Sequence, residues 1–241
     1  METGLYVSLS SQIALDRRLT TLADNVANAN TVGFRATEIK FNDVVADNGK
    51  AKVAFVDHGK EFLSTKSGGL TETNGMLDFA IRGDAWFAVE TPSGQTLTRD
   101  GRFTLTDNGD LVTLNGHPVL DAGGAPIQID GNAGPIKISA DGQLNQNGQP
   151  VAALGLFEAD LSAGYVRAGN SGIIPNTAPE PVVDRIDAGV AQGYVEESNV
   201  NAIAEMTQLI TVTRAFESIN ALLQKSESSI DSAIRTFGGS Q

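Results

Sequence analysis

Apolar residues recur in steps of three and four along the first part of the chain. The recurring positions are Leu5, Leu9, Ile13, Leu15, Leu19, Leu22 and Val26. This spacing predicts an amphipathic helix, because residues three and four apart share one helical face. No Gly or Pro interrupts the segment from Leu5 to Thr31, and Gly33 can supply a left-handed cap. We therefore expect an N-terminal helix over residues 1–33.

A second apolar stripe near the other end has a period of seven residues. Its positions are Leu209, Phe216, Leu223, Ile230 and Phe237, accompanied by Val212, Ile219 and Ala233. A seven-residue apolar period is typical of helices that pack as coiled coils. Ser198 or Asn199 is available as an N-cap, and Gly238 with Gly239 can end the helix. The pattern predicts a C-terminal helix within residues 194–241.

Between these helices, short alternating runs are separated by turn pairs. Examples are Asp107-Asn-Gly-Asp110 and Asn115-Gly116, and similar pairs recur at intervals of about ten residues. This regular spacing of turn residues predicts an all-β domain over residues 75–190, built as a meander, a barrel or a sandwich. The expected fold class is mixed α and β: two terminal helices form a coiled-coil-like assembly domain around a central β domain.

Residues 34–74 fit neither pattern and are interpreted as a connector. A strand or an extended arm is expected from Phe34 to Phe41, and Asn48-Gly49 is typical of a hairpin turn. Ser67-Gly68-Gly69 is interpreted as a flexible join. A second join, rich in proline, runs from Pro175 to Pro181 before the C-terminal helix.

Composition and charge exclude several classes of protein. The net charge of −12 argues against a nucleic-acid or anionic-membrane partner, since binding to phosphate needs Lys and Arg. The chain has no cysteine, which excludes disulfides and thiolate sites. The N-terminus lacks the features of a secretory signal, and no window is apolar enough to insert into a membrane. These rules alone predict a soluble protein.

Catalytic and metal-binding patterns receive no positive support from the sequence. Only two histidines occur, His58 and His117, and a surface role explains each better than a zinc site. The motifs of a nucleophile elbow, a phosphate loop and a dinucleotide site are missing. Asp107-Asn-Gly-Asp110 lacks the spacing of a calcium loop. We expect no enzymatic activity, no catalytic or metal-ligating residue and no cofactor.

The end of the first helix carries a specific motif. Residues 22–35 combine an Ala- and Asn-rich stretch with Thr31-Val-Gly-Phe-Arg35, and they resemble the N-terminal signature of the bacterial flagellar rod and hook family. Two further segments resemble that family in order and spacing. Residues 75–112, including Thr98-Arg-Asp-Gly-Arg-Phe103, are similar to its central β signature. Residues 197–217, starting at Glu197-Ser-Asn-Val-Asn201, are similar to its C-terminal one.

The resemblance implies a structural subunit of the flagellar rod. Length and a single β domain suit a proximal rod subunit, with a distal rod subunit or a short hook-type subunit as alternatives. It further implies export through the flagellar type III apparatus without a cleaved signal, and assembly with copies and other rod proteins across the periplasm into a torque-transmitting shaft. The expected assembly interface comprises Leu5, Leu9, Leu15, Leu19, Leu22, Asn25, Asn28, Thr31, Gly33, Phe34, Asn199, Asn201, Leu209, Phe216, Leu223, Ile230 and Phe237.

Two other classes of function stay open from the residues alone. A soluble enzyme or carbohydrate-binding β protein would have a concave site within residues 75–190. A self-contained monomer would use its terminal helices only to cover its own core, since apolar stripes are also typical of ordinary core helices.

Overall fold

The computed structural model describes residues 2–47, 52–182 and 188–238. Two helices, α1 (Glu2–Ala27) and α2 (Ala202–Gly238), lie at the ends of the chain, and β-strands fill the sequence between them. The chain divides into two compact units. Unit 1 comprises residues 1–27, 37–61 and 201–241, and unit 2 comprises residues 28–36 and 62–200. The predicted class, mixed α and β with a helix at each end and a β-rich middle, is confirmed.

In unit 1 the two helices pack side by side and antiparallel. The direction follows from side-chain hydrogen bonds, in which successively later residues of α1 bond to successively earlier residues of α2. These bonds run from Gln12 Nε2 to Asn220 Oδ1 at 2.7 Å, from Arg18 Nη2 to Gln208 Oε1 at 3.3 Å, and from Asn25 Nδ2 to Glu205 Oε2 at 3.3 Å. Such pairing is what two amphipathic helices need, because each covers part of the other's apolar face.

The helix ends differ from those expected. Helix α1 ends at Ala27, well before Gly33, so Gly33 does not cap it. Helix α2 begins at Ala202, and its N-cap is Asn201 rather than Ser198 or Asn199, because Asn201 Oδ1 accepts a hydrogen bond from Ala204 N at 3.1 Å. Sequence pattern could not choose between these neighbouring polar residues, since all of them suit a cap.

Three strands complete the described part of unit 1 before β4 begins. They are β1 (Thr37–Lys40), β2 (Asp43–Asp47) and β3 (Lys52–Val56). Strands β2 and β3 pair antiparallel, with Asp43 opposite Val56 and Asp47 opposite Lys52. This is the hairpin predicted around Asn48-Gly49, whose turn lies outside the described residues.

Most strands belong to unit 2, and they are short. After β4 (Lys60–Leu63) they are β5 (Leu70–Glu72), β6 (Phe79–Arg82), β7 (Trp86–Thr91), β8 (Gly94–Thr98), β9 (Phe103–Leu105), β10 (Leu111–Thr113), β11 (Ile136–Ile138), β12 (Gln143–Gln146), β13 (Gln149–Ala153), β14 (Leu156–Glu158), β15 (Tyr165–Ala168), β16 (Gly172–Pro175), β17 (Glu180–Pro181), β18 (Gly189–Gln192) and β19 (Tyr194–Glu196).

The largest sheet of unit 2 has six antiparallel strands in the order β15-β16-β8-β7-β14-β17. Strands β11, β12 and β13 form a smaller sheet, and the pairs β9–β10, β6–β18 and β5–β19 are two-stranded. The β9–β10 hairpin turns at the predicted Asp107-Asn-Gly-Asp110 segment. Neighbours in the six-stranded sheet are not all consecutive in sequence, so the topology is more complex than a plain meander.

Strand β7 shows where the core lies, because both of its faces are buried. Phe87 and Val89 face the larger hydrophobic cluster, and Trp86 and Ala88 face a second one. Alternate residues of a strand point to opposite faces, so β7 separates two apolar layers. Phe103 packs edge-on against Phe87 at 5.2 Å between ring centroids. The β domain therefore has a substantial core of its own.

Candidate functional site at the junction of three motifs

Three segments that are distant in sequence meet within unit 2. They are residues 31–36, 98–101 and 196–199, which lie in or directly beside the three motifs. Gly33 N donates to Glu196 O at 2.7 Å, and Asn199 N donates to Phe34 O at 3.2 Å. The Asn199 side chain accepts from Ala36 N at 2.7 Å, across 163 residues of sequence. We call this meeting point the motif junction.

Gly33 allows the first segment to approach the second. Its φ of +70° lies in the left-handed region. A Cβ atom at this position would stand 2.3 Å from Asp100 N, well inside contact distance. Glycine is the residue that satisfies both conditions, because it has no Cβ. The glycine of the first motif is therefore a packing requirement of the junction.

An ion triad lies at the centre of the junction. Arg35 Nη2 is 2.8 Å from Glu196 Oε1, and Arg99 Nη1 is 3.1 Å from Glu196 Oε2. All three side chains are at most 3 % exposed. One carboxylate thus holds two guanidinium groups, each delivered by a different motif. Charges so well buried are stable only when they are paired.

Burial dominates the electrostatics of both arginines. Loss of hydration lowers the pKa of Arg99 to about 10, and the Glu196 carboxylate opposes that shift. The pKa of Arg35 is also lowered by burial and is likewise supported by Glu196. Glu196 is therefore the main group that favours the charged form of both guanidinium groups, and Asp84 contributes in the same direction.

The other side of Arg35 is held by the segment around Gly68. Arg35 donates to the carbonyl oxygens of Thr65 and Lys66, and Gly68 N donates to Glu196 Oε1 at 3.0 Å. A Cβ on Gly68 would lie 1.9 Å from a backbone oxygen of the C-terminal segment. The flexible join expected at Ser67-Gly68-Gly69 is wrong: the glycines permit close packing, which composition alone does not distinguish from flexibility.

Two aromatic rings flank the junction. The Arg167 guanidinium lies 4.3 Å from the ring centroid of Phe34, which is 1 % exposed. The Arg99 guanidinium lies 5.3 Å from the ring centroid of Trp86. Cation–π contacts of this kind are stronger when they are shielded from water. The contact of Arg167 with Phe34 helps to hold residues 33–36, and that of Trp86 helps to hold Arg99.

Among the expected interface residues of the first motif, Asn28, Thr31, Gly33 and Phe34 belong to unit 2 and are engaged within it. Phe34 and Gly33 are buried, and Thr31 Oγ1 donates to Asn28 Oδ1 at 3.1 Å in the turn after α1. Asn199 bonds at the junction, as described above. Their part in contacts between subunits stays a prediction, while their role inside the subunit is directly visible.

Asn25 has a similar internal role in unit 1. Its side chain is 2 % exposed and bonds both backbone groups of Thr37, donating to the carbonyl oxygen at 2.9 Å and accepting from the amide at 3.0 Å. Buried polar groups need such partners. Asn25 therefore fastens the last turn of α1 to the start of β1.

The heptad stripe of α2 belongs to the inner face of the helix pair. Val212 is 5 % exposed, and Leu209, Phe216 and Leu223 are half-buried. They share a helical face with Glu205, Gln208 and Asn220, which bond to α1. On α1, Leu22 is buried and Leu15 and Leu19 are half-buried. The side chains of Leu5, Ile230 and Phe237 lie outside the described residues.

A different set of apolar residues faces outward. Tyr6, Leu9 and Ile13 on α1 are 58 %, 45 % and 43 % exposed, and Ile203, Met206 and Ile210 on α2 are 80 %, 49 % and 55 % exposed. We call these the outer strips. Of their members, only Leu9 is among the expected interface residues. The three- and four-residue spacing of Ile203, Met206 and Ile210 is a sequence signal for this exposed face. The expected interface is instead assigned to the longer heptad stripe.

A concave pocket of about 430 Å³ lies in the β domain, lined largely by hydroxyl and amide side chains. Two pairs of its hydroxyls bond each other: Thr91 with Thr96 at 3.0 Å and Thr98 with Ser171 at 3.1 Å. These groups are satisfied within the wall. In residues 2–47, 52–182 and 188–238, no cluster of His, Cys, Asp or Glu could hold a metal ion, and no helix could span a membrane.

Comparison with known proteins places these features in one class, the structural proteins of the flagellar basal body. Residues 5–35 match the family model described as flagella basal body rod protein. Residues 80–146 match that of the flagellar hook protein FlgE/F/G D1 domain, and residues 191–236 match that of the flagellar basal body rod FlgEFG protein C-terminal. The three matches contain the first and third motifs and residues 80–112 of the central one, including the segment that reaches the junction.

Individual relatives agree with these matches over the whole chain. The flagellar basal-body rod protein FlgF of Rhizobium meliloti (strain 1021) is 63 % identical over 241 residues, covering all of both chains. FlgF of Mesorhizobium japonicum is 58 % identical over 238 residues, covering 99 % of each. FlgG of Agrobacterium fabrum is 32 % identical over 243 residues, covering 89 % of this chain and 91 % of the relative. The chain belongs to the family of flagellar basal-body rod and hook proteins, and within it is a FlgF-like rod protein.

Proposed function

We propose that this protein is a subunit of the flagellar rod that assembles through the outer strips of its helix pair. The observation that carries the proposal is the exposure of the six large apolar side chains of the outer strips after the helices have already packed together. Leu222 of α2 is also exposed, but it lies on a different face of the helix from Ile203, Met206 and Ile210. A helix facing only water would carry polar residues there. Exposed apolar strips of this kind are typical of surfaces that bind other proteins.

The strips are large enough to matter energetically. Burying one large aliphatic or aromatic side chain contributes roughly 1.5–3 kcal/mol, so even partial burial of several side chains favours association. The inner stripe has less apolar area left to bury, since Val212 is already buried and Leu209, Phe216 and Leu223 are half-buried on the face toward α1. Assembly would therefore use the outer faces, while the heptad stripe holds the subunit's own helices together.

Charge supports close packing of the helices. Acidic residues exceed basic ones in the chain as a whole, 29 against 17, yet α1 contains Glu2, Asp16 and Asp24 against Arg17 and Arg18. Nearly neutral surfaces can meet without strong repulsion, and charged residues are depleted from the centres of interfaces. The acidic excess lies in the middle of the sequence, where it favours a solvated surface.

The proposed partners are copies of this chain and other rod proteins, at a proximal position in the rod. Packing of helix pairs from successive subunits would form a coiled-coil-like wall of the shaft that transmits torque across the periplasm. Delivery by the flagellar type III export apparatus belongs to the same proposal. Stabilisation of the terminal helices by assembly agrees with this proposal, because long amphipathic helices are stabilised mainly by burial of their apolar faces.

Charged substitutions in the outer strip of α2 test the proposal. The variant Ile203→Asp/Ile210→Asp is expected to fold, because both side chains are exposed, and to fail to enter basal bodies and to restore motility. The matched control is Ser218→Asp, which adds a charge at another exposed position of α2. A third variant, Val212→Asp, alters the inner face and is expected to disrupt the helix pair itself.

Motility, isolated basal bodies and circular dichroism of the purified chain are the readouts. Normal incorporation of the outer-strip variant would contradict the proposed interface. If that variant instead lost its helical signal as Val212→Asp does, the strip would serve the monomer's own fold. The position of labelled protein in isolated basal bodies tests the proximal assignment separately.

A further inference from the structure

The C-terminal part of unit 2 closes the β domain by returning to its beginning. Strand β18 pairs with β6, from Gly189 opposite Arg82 to Gln192 opposite Phe79. Strand β19 pairs with β5, from Tyr194 opposite Glu72 to Glu196 opposite Leu70. Residues 189–200 thus cover strands that lie more than a hundred residues earlier in the sequence. We call them the closing segment.

The apolar contribution of the closing segment is small. Val190 is its member of the larger core cluster, and Val195 is its other buried apolar residue. The six-stranded sheet contains neither β18 nor β19. The closing segment is attached mainly by edge pairing and by the motif junction, while the central layers are built from other strands.

The attachment of the closing segment depends on the ion pairs that Glu196 makes. Arg35 and Arg99 are buried beside a single carboxylate, and that carboxylate is supplied by the closing segment. Without Glu196, two buried cations would face each other, and Asp84 is the other acidic group that supports the charged form of both. Forming such a triad requires desolvation of all three charges, which offsets much of their attraction. An ionic closure is therefore held by a smaller margin than an apolar closure of the same volume.

We propose that the closing segment is a reversible latch, fastened by the Arg35–Glu196–Arg99 triad, that opens while the core of the β domain stays folded. Opening breaks the bonds of Gly33 N to Glu196 O and of Asn199 N to Phe34 O together. It therefore releases both stretches of chain that continue into the helices, residues 28–36 and 197–201. The latch links the freedom of the N-terminal connection to that of the C-terminal one.

Native-state hydrogen exchange on the full-length protein tests the latch directly. The junction amides Gly33, Glu197 and Asn199 are compared with the core amides Leu111 and Leu120, all of which donate to backbone carbonyls. Partial opening predicts that the junction amides exchange at least about tenfold faster than the core amides under native conditions. Equal exchange of both groups through global unfolding would overturn the proposal, and this comparison needs no variant.

Two variants test the role of charge. Glu196→Gln removes the carboxylate charge and is expected to accelerate exchange at the junction amides by a further factor of about ten, with the core amides changed much less. Glu197→Gln is the matched control, because Glu197 is the exposed neighbour that bonds Thr71. It is expected to leave the junction amides within about twofold of the wild type. Uniform acceleration of junction and core by Glu196→Gln would overturn the latch.

An apolar triad provides the converse test. The triple variant Arg35→Met/Arg99→Met/Glu196→Leu replaces the three charges by groups of similar volume. If the charges make the closure releasable, exchange at Gly33 and Asn199 should slow toward that of Leu111 and Leu120. Exchange as fast as in Glu196→Gln would show that the charges do not set the opening, and the proposal would fail.

Discussion

At the scale of single residues, contacts within the subunit explain why the motifs contain particular amino acids. Gly33 is needed because its φ is positive and a Cβ would meet Asp100 N, and Arg35 is needed because it pairs with Glu196. Asn199 supplies one acceptor and one donor, to Ala36 N and to Lys66 O. These residues recognise other parts of the same chain. Their presence in the family motifs is explained by the fold before any contact with a neighbouring subunit is invoked.

Gly33→Ala is predicted to destabilise unit 2 by about 3 kcal/mol or more. The left-handed conformation costs an L-residue roughly 1–2 kcal/mol, and displacement of packed backbone adds to it. Chemical denaturation followed by the fluorescence of Trp86 measures the change, because Trp86 is the one tryptophan of the sequence and lies in unit 2.

Gly116→Ala is the matched control for Gly33→Ala. Gly116 has a similar φ of +80°, but a Cβ there meets nothing within 4 Å. Gly116→Ala should therefore destabilise the protein only by the cost of the left-handed conformation, roughly 1–2 kcal/mol. Equal losses in the two variants would show that backbone conformation, and not the approach to Asp100, explains Gly33.

At the scale of elements, helix α2 has two apolar faces with different environments. The face of α2 with Val212 packs on α1, and the face with Ile203 and Ile210 is exposed. The two faces are separated by rotation about the same axis, so substitutions a few residues apart should have different consequences. Helix pairing and assembly can thus be disrupted independently.

The N-cap of α2 gives a prediction at this scale. Asn201→Ala should lower stability by about 1 kcal/mol, since Ala204 N loses its side-chain acceptor. Asn201→Asp keeps an acceptor oxygen at that place and adds a favourable charge at the helix N-terminus, so it should retain or exceed wild-type stability. Thermal unfolding followed by circular dichroism at the helical band compares the three proteins. A stable Asn201→Ala variant would indicate that the cap is dispensable.

At the scale of the whole molecule, charge is the dominant property. A net charge of −12 disfavours compact states through self-repulsion, and salt screens repulsion between exposed charges. The buried triad is shielded from that screening, because its side chains are at most 3 % exposed. Surface repulsion and junction stability should therefore respond differently to ionic strength.

Raising sodium chloride from about 0.05 M to about 0.5 M is predicted to raise the midpoint of the Trp86 unfolding transition by a few degrees. The difference between wild type and Glu196→Gln should change little over the same range, since the triad is buried. Thermal scans at several salt concentrations measure both quantities. A midpoint that falls with salt would mean that attraction between surface charges outweighs their repulsion.

The sequence by itself determined that a helix lies near each end of the chain, that the middle is β-rich and which family the chain belongs to, because periodicity, turn residues and motifs are local properties. It did not determine the exact residues at which the helices end. It left open which apolar face of each helix is covered, since a period marks a face without naming its partner. Tertiary structure decided that the described heptad positions, from Leu209 to Leu223, lie on the face toward α1 and that Ile203, Met206 and Ile210 are exposed. It also brought Arg35, Arg99 and Glu196 together, because contacts between residues so distant in sequence depend on the path of the whole chain.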